Sequence, residues 1–138
     1  MLFDIIKSEG SPLREYENLY TSCTEVEKCV RTNPTHAVLH SRVAAERFIN
    51  IILEINGIEI PDDMDLRKQM GLESTRPKLI FCFEKGYITK NQALLLDKVR
   101  KAGNTVAMSG CDLEEANAID AFDVFECLYK AISSYIQK

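Results

Sequence analysis

Asn33-Pro34-Thr35-His36-Ala37-Val38-Leu39-His40-Ser41-Arg42-Val43-Ala44-Ala45-Glu46-Arg47-Phe48-Ile49-Asn50-Ile51-Ile52-Leu53-Glu54-Ile55-Asn56-Gly57 reads as one helix with both ends marked. An Asn side chain can accept from the free N–H groups of a first turn, and Pro suits the first helical position because that N–H has no partner anyway. Gly57 closes the stretch as a left-handed cap. At about 100° per residue, Ala37, Ser41, Ala44, Ala45, Phe48, Ile52 and Ile55 share one face, with His36, His40, Arg47, Asn50 and Glu54 opposite. Ile49 and Leu53 spill beyond the apolar face, which suggests pairing of two chains through this helix as a homodimer. The small residues of that face let a neighbouring helix come close.

The chain before this helix carries the same device. Ser11-Pro12 predicts the start of a first helix, along which Leu13, Tyr16, Tyr20, Cys23 and Val30 keep a helical spacing. Residues 1–10 form a short apolar segment that packs against the rest. After the central helix, residues 57–74 are an irregular linker around one short helix near Asp65–Met70. A further helix spans Arg76–Lys85 and stops at Gly86. The next opens at Thr89 with Gln92 three residues on, a capping box, and turns Ala93, Leu96 and Val99 inward. Arg100 is expected at its end, with Gly103 allowing the turn beyond. Asp112 and Glu115 form a second capping box for the last helix, whose stripe is Ala118, Ala121, Phe125, Leu128, Tyr129, Ile132 and Ile136. No segment alternates as a strand does. The expectation is a single all-α domain over residues 1–138, a helical bundle of about five helices.

The 138 residues suit one core, and 46% hydrophobic with 28% charged residues describes a globular chain, not a disordered one. The longest apolar runs, Phe48 to Ile55 and Leu79 to Phe83, are too short to span a bilayer, and an acid at Asp4 stands where a signal peptide needs basic residues. Five cysteines (Cys23, Cys29, Cys82, Cys111 and Cys127) make an odd set without a Cys-x-x-Cys. That pattern argues for reduced thiols in a cytoplasm and against a disulfide framework or a zinc site. The net charge of −4 is uneven: residues 67–101 hold nine Lys or Arg against three acids. A basic middle in an acidic chain suits a nucleic-acid-facing surface; the same charges can equally scatter over solvated helix faces, since their helical positions do not all fall on one side.

The densest polar chemistry lies in Asp97-Lys98-Val99-Arg100-Lys101-Ala102-Gly103-Asn104-Thr105-Val106-Ala107-Met108. Its Arg-Lys-x-Gly-Asn-x-x-Ala pattern, with the Ser41-Arg42-Val43-Ala44-Ala45-Glu46 run of the central helix, resembles a HEPN-like family of helical domains over roughly residues 12–138. Members of that family occur alone or at the N-terminus of type I restriction helicase subunits, many with no assigned function. The resemblance implies a HEPN-like bundle, a setting in prokaryotic or phage restriction-modification and antiviral defence, and pairing through helices. In HEPN ribonucleases an Arg and a His from two protomers line a shared cleft, where the His does acid/base work and the Arg steadies phosphate.

That chemistry needs a group exchanging protons near neutral pH, and Met108 stands where the family commonly has His. The reading is therefore a non-catalytic interaction module. Its candidate binding residues are Arg100, Lys101, Asn104, Lys98, Arg42 and Glu46, acting on a protein partner, a fused helicase-nuclease or nucleic acid. No catalytic residue, cofactor or metal is assigned. A metal-independent ribonuclease using Arg100 and Asn104, and a nucleic-acid-binding module using residues 67–101, are the alternatives. A structural role competes with all of these, in which Arg100 pairs with an acid such as Glu46 and Asn104 caps local backbone. His36 and His40, at i and i+4, have metal-ligand spacing but no third ligand nearby, and read as solvated helix residues. Cys111 carries no mark of activation.

Overall fold

The computed structural model describes residues 1–109 and 120–137. These form a 3₁₀ helix, Leu2–Lys7, and six α-helices: α1 (Glu17–Cys29), α2 (Pro34–Ile55), α3 (Met64–Met70), α4 (Thr75–Glu84), α5 (Lys90–Ser109) and α6 (Ala121–Ile136). No strand occurs among the described residues. The fold is an all-α bundle arranged around α2, which packs against α1, α4, α5 and α6.

The caps read from sequence sit where they should in the middle of the chain. The Asn33 side chain accepts from His36 N at 3.2 Å, and Gly57 adopts φ 75° just past α2. Thr89 and Gln92 exchange both bonds of a capping box, Thr89 N to Gln92 Oε1 at 2.9 Å and Gln92 N to Thr89 Oγ1 at 3.1 Å. Gln92 is buried and donates onward to Ser134 Oγ at 3.0 Å, which ties the start of α5 to α6.

The N-terminal segment belongs to the core. Phe3 is fully buried, edge-on to Phe125 at 5.7 Å and Tyr129 at 5.6 Å between centroids. Its helix end is held by a carboxylate: Glu27 of α1 accepts from Leu2 N at 2.8 Å and Phe3 N at 3.1 Å. An anion at a helix start satisfies donors that have no partner inside the helix.

Four expectations change. The first helix starts at Glu17, not at Ser11-Pro12; Ser11 Oγ instead accepts from Leu13 N at 3.2 Å in a turn that buries Leu13. A Ser-Pro pair sets up a turn as readily as a helix, and here the turn is not extended. The last described helix is α6, capped by Asp120, which accepts from Phe122 N. Asp112, Glu115, Ala118 and Cys111 lie outside the described residues. Ile49 and Leu53, the reason to expect a homodimer through the central helix, are 1% and 0% exposed inside a single chain. Being flanked on several sides, α2 needs apolar residues all round. Ile55, by contrast, ends exposed.

The fourth change concerns Gly103. No turn forms there: α5 runs unbroken from Lys90 to Ser109, and Arg100 lies inside it. What Gly103 provides is room. A Cβ built on it would come within 3.0 Å of Arg42 Cγ and 2.9 Å of Arg42 Cδ, and closer still to Arg42 Cβ. The obstructing atoms include the root of a side chain on the facing helix, which cannot swing away. α2 and α5 therefore meet at a separation that only glycine permits.

Gly103→Ala separates the two effects by sign. In an open helix it would add about 1 kcal/mol through propensity. Here overpacking outweighs that gain, and the expected net cost is about 1–3 kcal/mol. Urea denaturation checks it; a Gly103→Ala protein as stable as the parent, or more so, would contradict the close approach.

Candidate functional site

The contact at Gly103 places the polar residues around it. At the next residue of α5, Asn104 Oδ1 accepts from Arg42 Nη1 at 3.2 Å, across 62 positions of sequence. Arg42 and Asn104 are both half-buried, so the bond is partly shielded from water. The two runs 41–46 and 100–108 thus touch in space, and Asn104 serves a side chain of α2 and not local backbone.

Arg100 does not reach Glu46. It pairs with Asp97, one turn back on its own helix, through Nε at 3.0 Å and Nη2 at 2.9 Å to the same Oδ1. Lys101 Nζ takes the other oxygen at 3.1 Å. Glu46 is exposed on α2. An i, i+3 geometry within one helix needs no tertiary alignment, which is why it wins over the cross-helix partner. Burial opposes ionisation of Asp97, but the hydrogen bonds from Arg100 and Lys101 outweigh it and hold the carboxyl below its usual range. Of the six candidate residues, Arg42, Asn104 and Arg100 thus have partners within the chain. Lys98 and Lys101 face outward.

That outward face is continuous. Leu94, Lys98, Lys101, Thr105 and Met108 follow at i, i+4, i+7, i+11 and i+14, one stripe of α5. Its two apolar members are unusually open, Leu94 at 61% and Met108 at 87% exposure. Beside it lies a groove of about 490 Å³ between α5 and α6, lined by Leu94, Lys98, Lys101, Val124, Asp120 and Asp123 among others. Met108 sits about 12 Å along α5 from Arg100 and brings no proton-exchanging group to it. The basic middle of the chain does not form one surface. Lys78 is buried and donates to Asn50 Oδ1 at 3.0 Å, Arg67 Nε donates to Pro61 O, and Arg100 is held by Asp97.

A second cluster was missed by sequence reasoning. His36 and His40 are not simply solvated. Glu25 and Cys29 of α1 face them: Glu25 Oε1 lies 3.3 Å from His36 Nε2 and accepts from Cys29 Sγ at 3.4 Å. The His36 and His40 rings are 4.1 Å apart. His40 Nδ1 is buried with no hydrogen-bond partner. Bonds from Cys29 and then His36 hold Glu25 below the usual carboxylate range, burial pushes the Cys29 thiol up, and burial then His36 push His40 down. The signal in the sequence was the second i, i+4 pair, Glu25 and Cys29, a short turn away from the first.

The Asp97 network yields a pH test. A carboxyl whose folded pKa lies below its unfolded value of 3.8 contributes stability that is present above that value. It is lost as the pH falls through the folded value. Asp97→Asn should cost roughly 0.5–1 kcal/mol at pH 7, the range for a partly exposed ion pair. The deficit should close in strong acid; a deficit independent of pH would mean that Asp97 acts by packing and not by charge. Comparison with protein-family models, curated proteins and solved structures found no match for this chain, so the reading of the site rests on its own geometry.

Proposed function

We propose that the chain is a non-catalytic, HEPN-like interaction module that binds a protein partner through the outer stripe of α5 and the groove beside it. The observation that carries this is the mixed character of that face: open Leu94 and Met108 flank Lys98 and Lys101, with Asp120 and Asp123 across the groove. Apolar anchors ringed by charges of both signs suit a protein surface. A polyanion would meet carboxylates along the same groove, and the internal use of Lys78, Arg67 and Arg100 removes three of the nine basic side chains from any nucleic-acid track. A second copy of the chain remains among the partners this face suits, by way of α5 and not of Ile49 and Leu53.

The absence of catalysis rests on two residues. Arg100 is already paired with Asp97, and Met108 stands where a proton carrier would be needed. The proposed setting, a cytoplasmic restriction or defence system of a prokaryote or phage, rests on the resemblance of residues 41–46 and 100–108 alone. Among the described residues no helix is long and apolar enough to cross a membrane.

Two measurements check the reading. Purified protein should leave single-stranded RNA uncut, with divalent metal or with chelator; cleavage that Arg100→Ala abolishes would replace this proposal with the ribonuclease. A photoreactive residue at exposed position 105 should give a discrete protein adduct in cells, weakened by Lys101→Glu, while one at exposed position 59 should not. Recovery of nucleic acid from position 105 would replace the protein partner with a polyanion.

A further inference from the structure

The end of the α1–α2 hairpin gathers four potential metal ligands of three kinds. Both histidines of the chain are here. The carboxylate of Glu25, the sulfur of Cys29 and a ring nitrogen of His36 lie within 4.8 Å of one another, each half-buried. We propose that this cluster is a binding site for a divalent transition ion of the zinc class, with Glu25, Cys29 and His36 as ligands and water in the fourth position.

The distances suit such an ion. Tetrahedral coordination at ordinary zinc bond lengths sets neighbouring ligand atoms roughly 3.3–3.6 Å apart. Glu25 Oε1 is 3.3 Å from His36 Nε2 and 3.4 Å from Cys29 Sγ. Side chains need little adjustment to turn toward a common centre. The two helices that carry them are already fixed by packing, so the ordering cost is borne by the fold and not by the ion.

The unpartnered nitrogen of His40 is a second, independent observation. A buried ring nitrogen without a hydrogen bond forfeits a water contact and receives nothing in return. Its ring lies against that of His36, 4.1 Å between centroids. A water in the fourth position of the ion is the partner proposed for that nitrogen.

The donor set selects the class of ion. One thiolate, imidazole and one carboxylate favour borderline ions such as Zn²⁺ or Co²⁺ over Mg²⁺ or Ca²⁺, which take oxygen ligands. On binding, the Cys29 S–H bond breaks, its electron pair becomes the bond to the metal, and the proton passes to solvent. No electron is transferred. The site joins the last turn of α1 to the first turn of α2, on residues distinct from the α5 stripe, so its occupancy and the partner proposal stand or fall separately.

Cobalt serves as the probe because a thiolate ligand gives it a charge-transfer band in the near ultraviolet. Chelator-treated, reduced full-length protein is titrated with Co²⁺. The expected result is a saturating thiolate band at one ion per chain, displaced by Zn²⁺ and accompanied by a higher melting temperature. Cys29→Ser should remove the band. Glu25→Gln and His36→Ala should each weaken Co²⁺ binding by more than about tenfold, with helical content unchanged by circular dichroism. No band, or a band that survives Cys29→Ser, overturns the proposal. So does equal affinity in Glu25→Gln, which would leave the cluster as an ion pair and a thiol hydrogen bond only.

Discussion

Helix α5 lies down on the central helix α2 without a Cβ at position 103, where one would collide with Arg42. A glycine inside a 20-residue helix costs about 1 kcal/mol against alanine. The structure offsets that cost by letting the stem of Arg42 lie against bare backbone, where any larger residue would collide with it. The close approach then brings the Arg42 guanidinium to Asn104, and a partly shielded bond locks the rotation of one helix against the other. Everything on the outer side of α5, from Asp97 with its two cations to the open Leu94–Met108 stripe, takes its position from that register.

The same constraint sorts the charged residues by role. Side chains near the α2–α5 contact are consumed by it or by their own helix: Arg42 by Asn104, Arg100 by Asp97. Those a third of a turn away stay outward and border the groove with α6. A basic residue in such a bundle is therefore not automatically a ligand for phosphate. The first turns of α2, a few residues before Arg42, show the converse. Where α1 turns into α2, two short i, i+4 pairs meet with donors of different kinds, and one buried nitrogen is left over.

Much of this was legible in the sequence. Helix ends are local events, so Asn33, Gly57, Gly86 and the Thr89–Gln92 box could be read where they stand. The apolar periods of α2 and α6 identified their core residues for the same reason. Gly103 was misread because glycine has two uses, a positive-φ turn and a close approach, and only the facing helix distinguishes them. Among the described residues the glycines at positive φ are Gly10, Gly57, Gly71 and Gly86. The site was half legible: Arg42 and Asn104 were both candidates, and they meet, but Arg100 takes Asp97 of its own helix and not Glu46. Glu25 and Cys29 were not associated with His36 because no single-helix pattern joins them; their proximity follows from the hairpin.

The most direct test of the α2–α5 contact is backbone and side-chain NMR of the labelled protein across residues 98–107. An unbroken α5 lying on Arg42 predicts helical Cα shifts continuing through Gly103, with a cross-relaxation peak between the Gly103 Hα and the Arg42 side-chain protons. A break in the helical shifts at Gly103, with no peak to Arg42, would contradict the close approach on which the arrangement of the bundle rests.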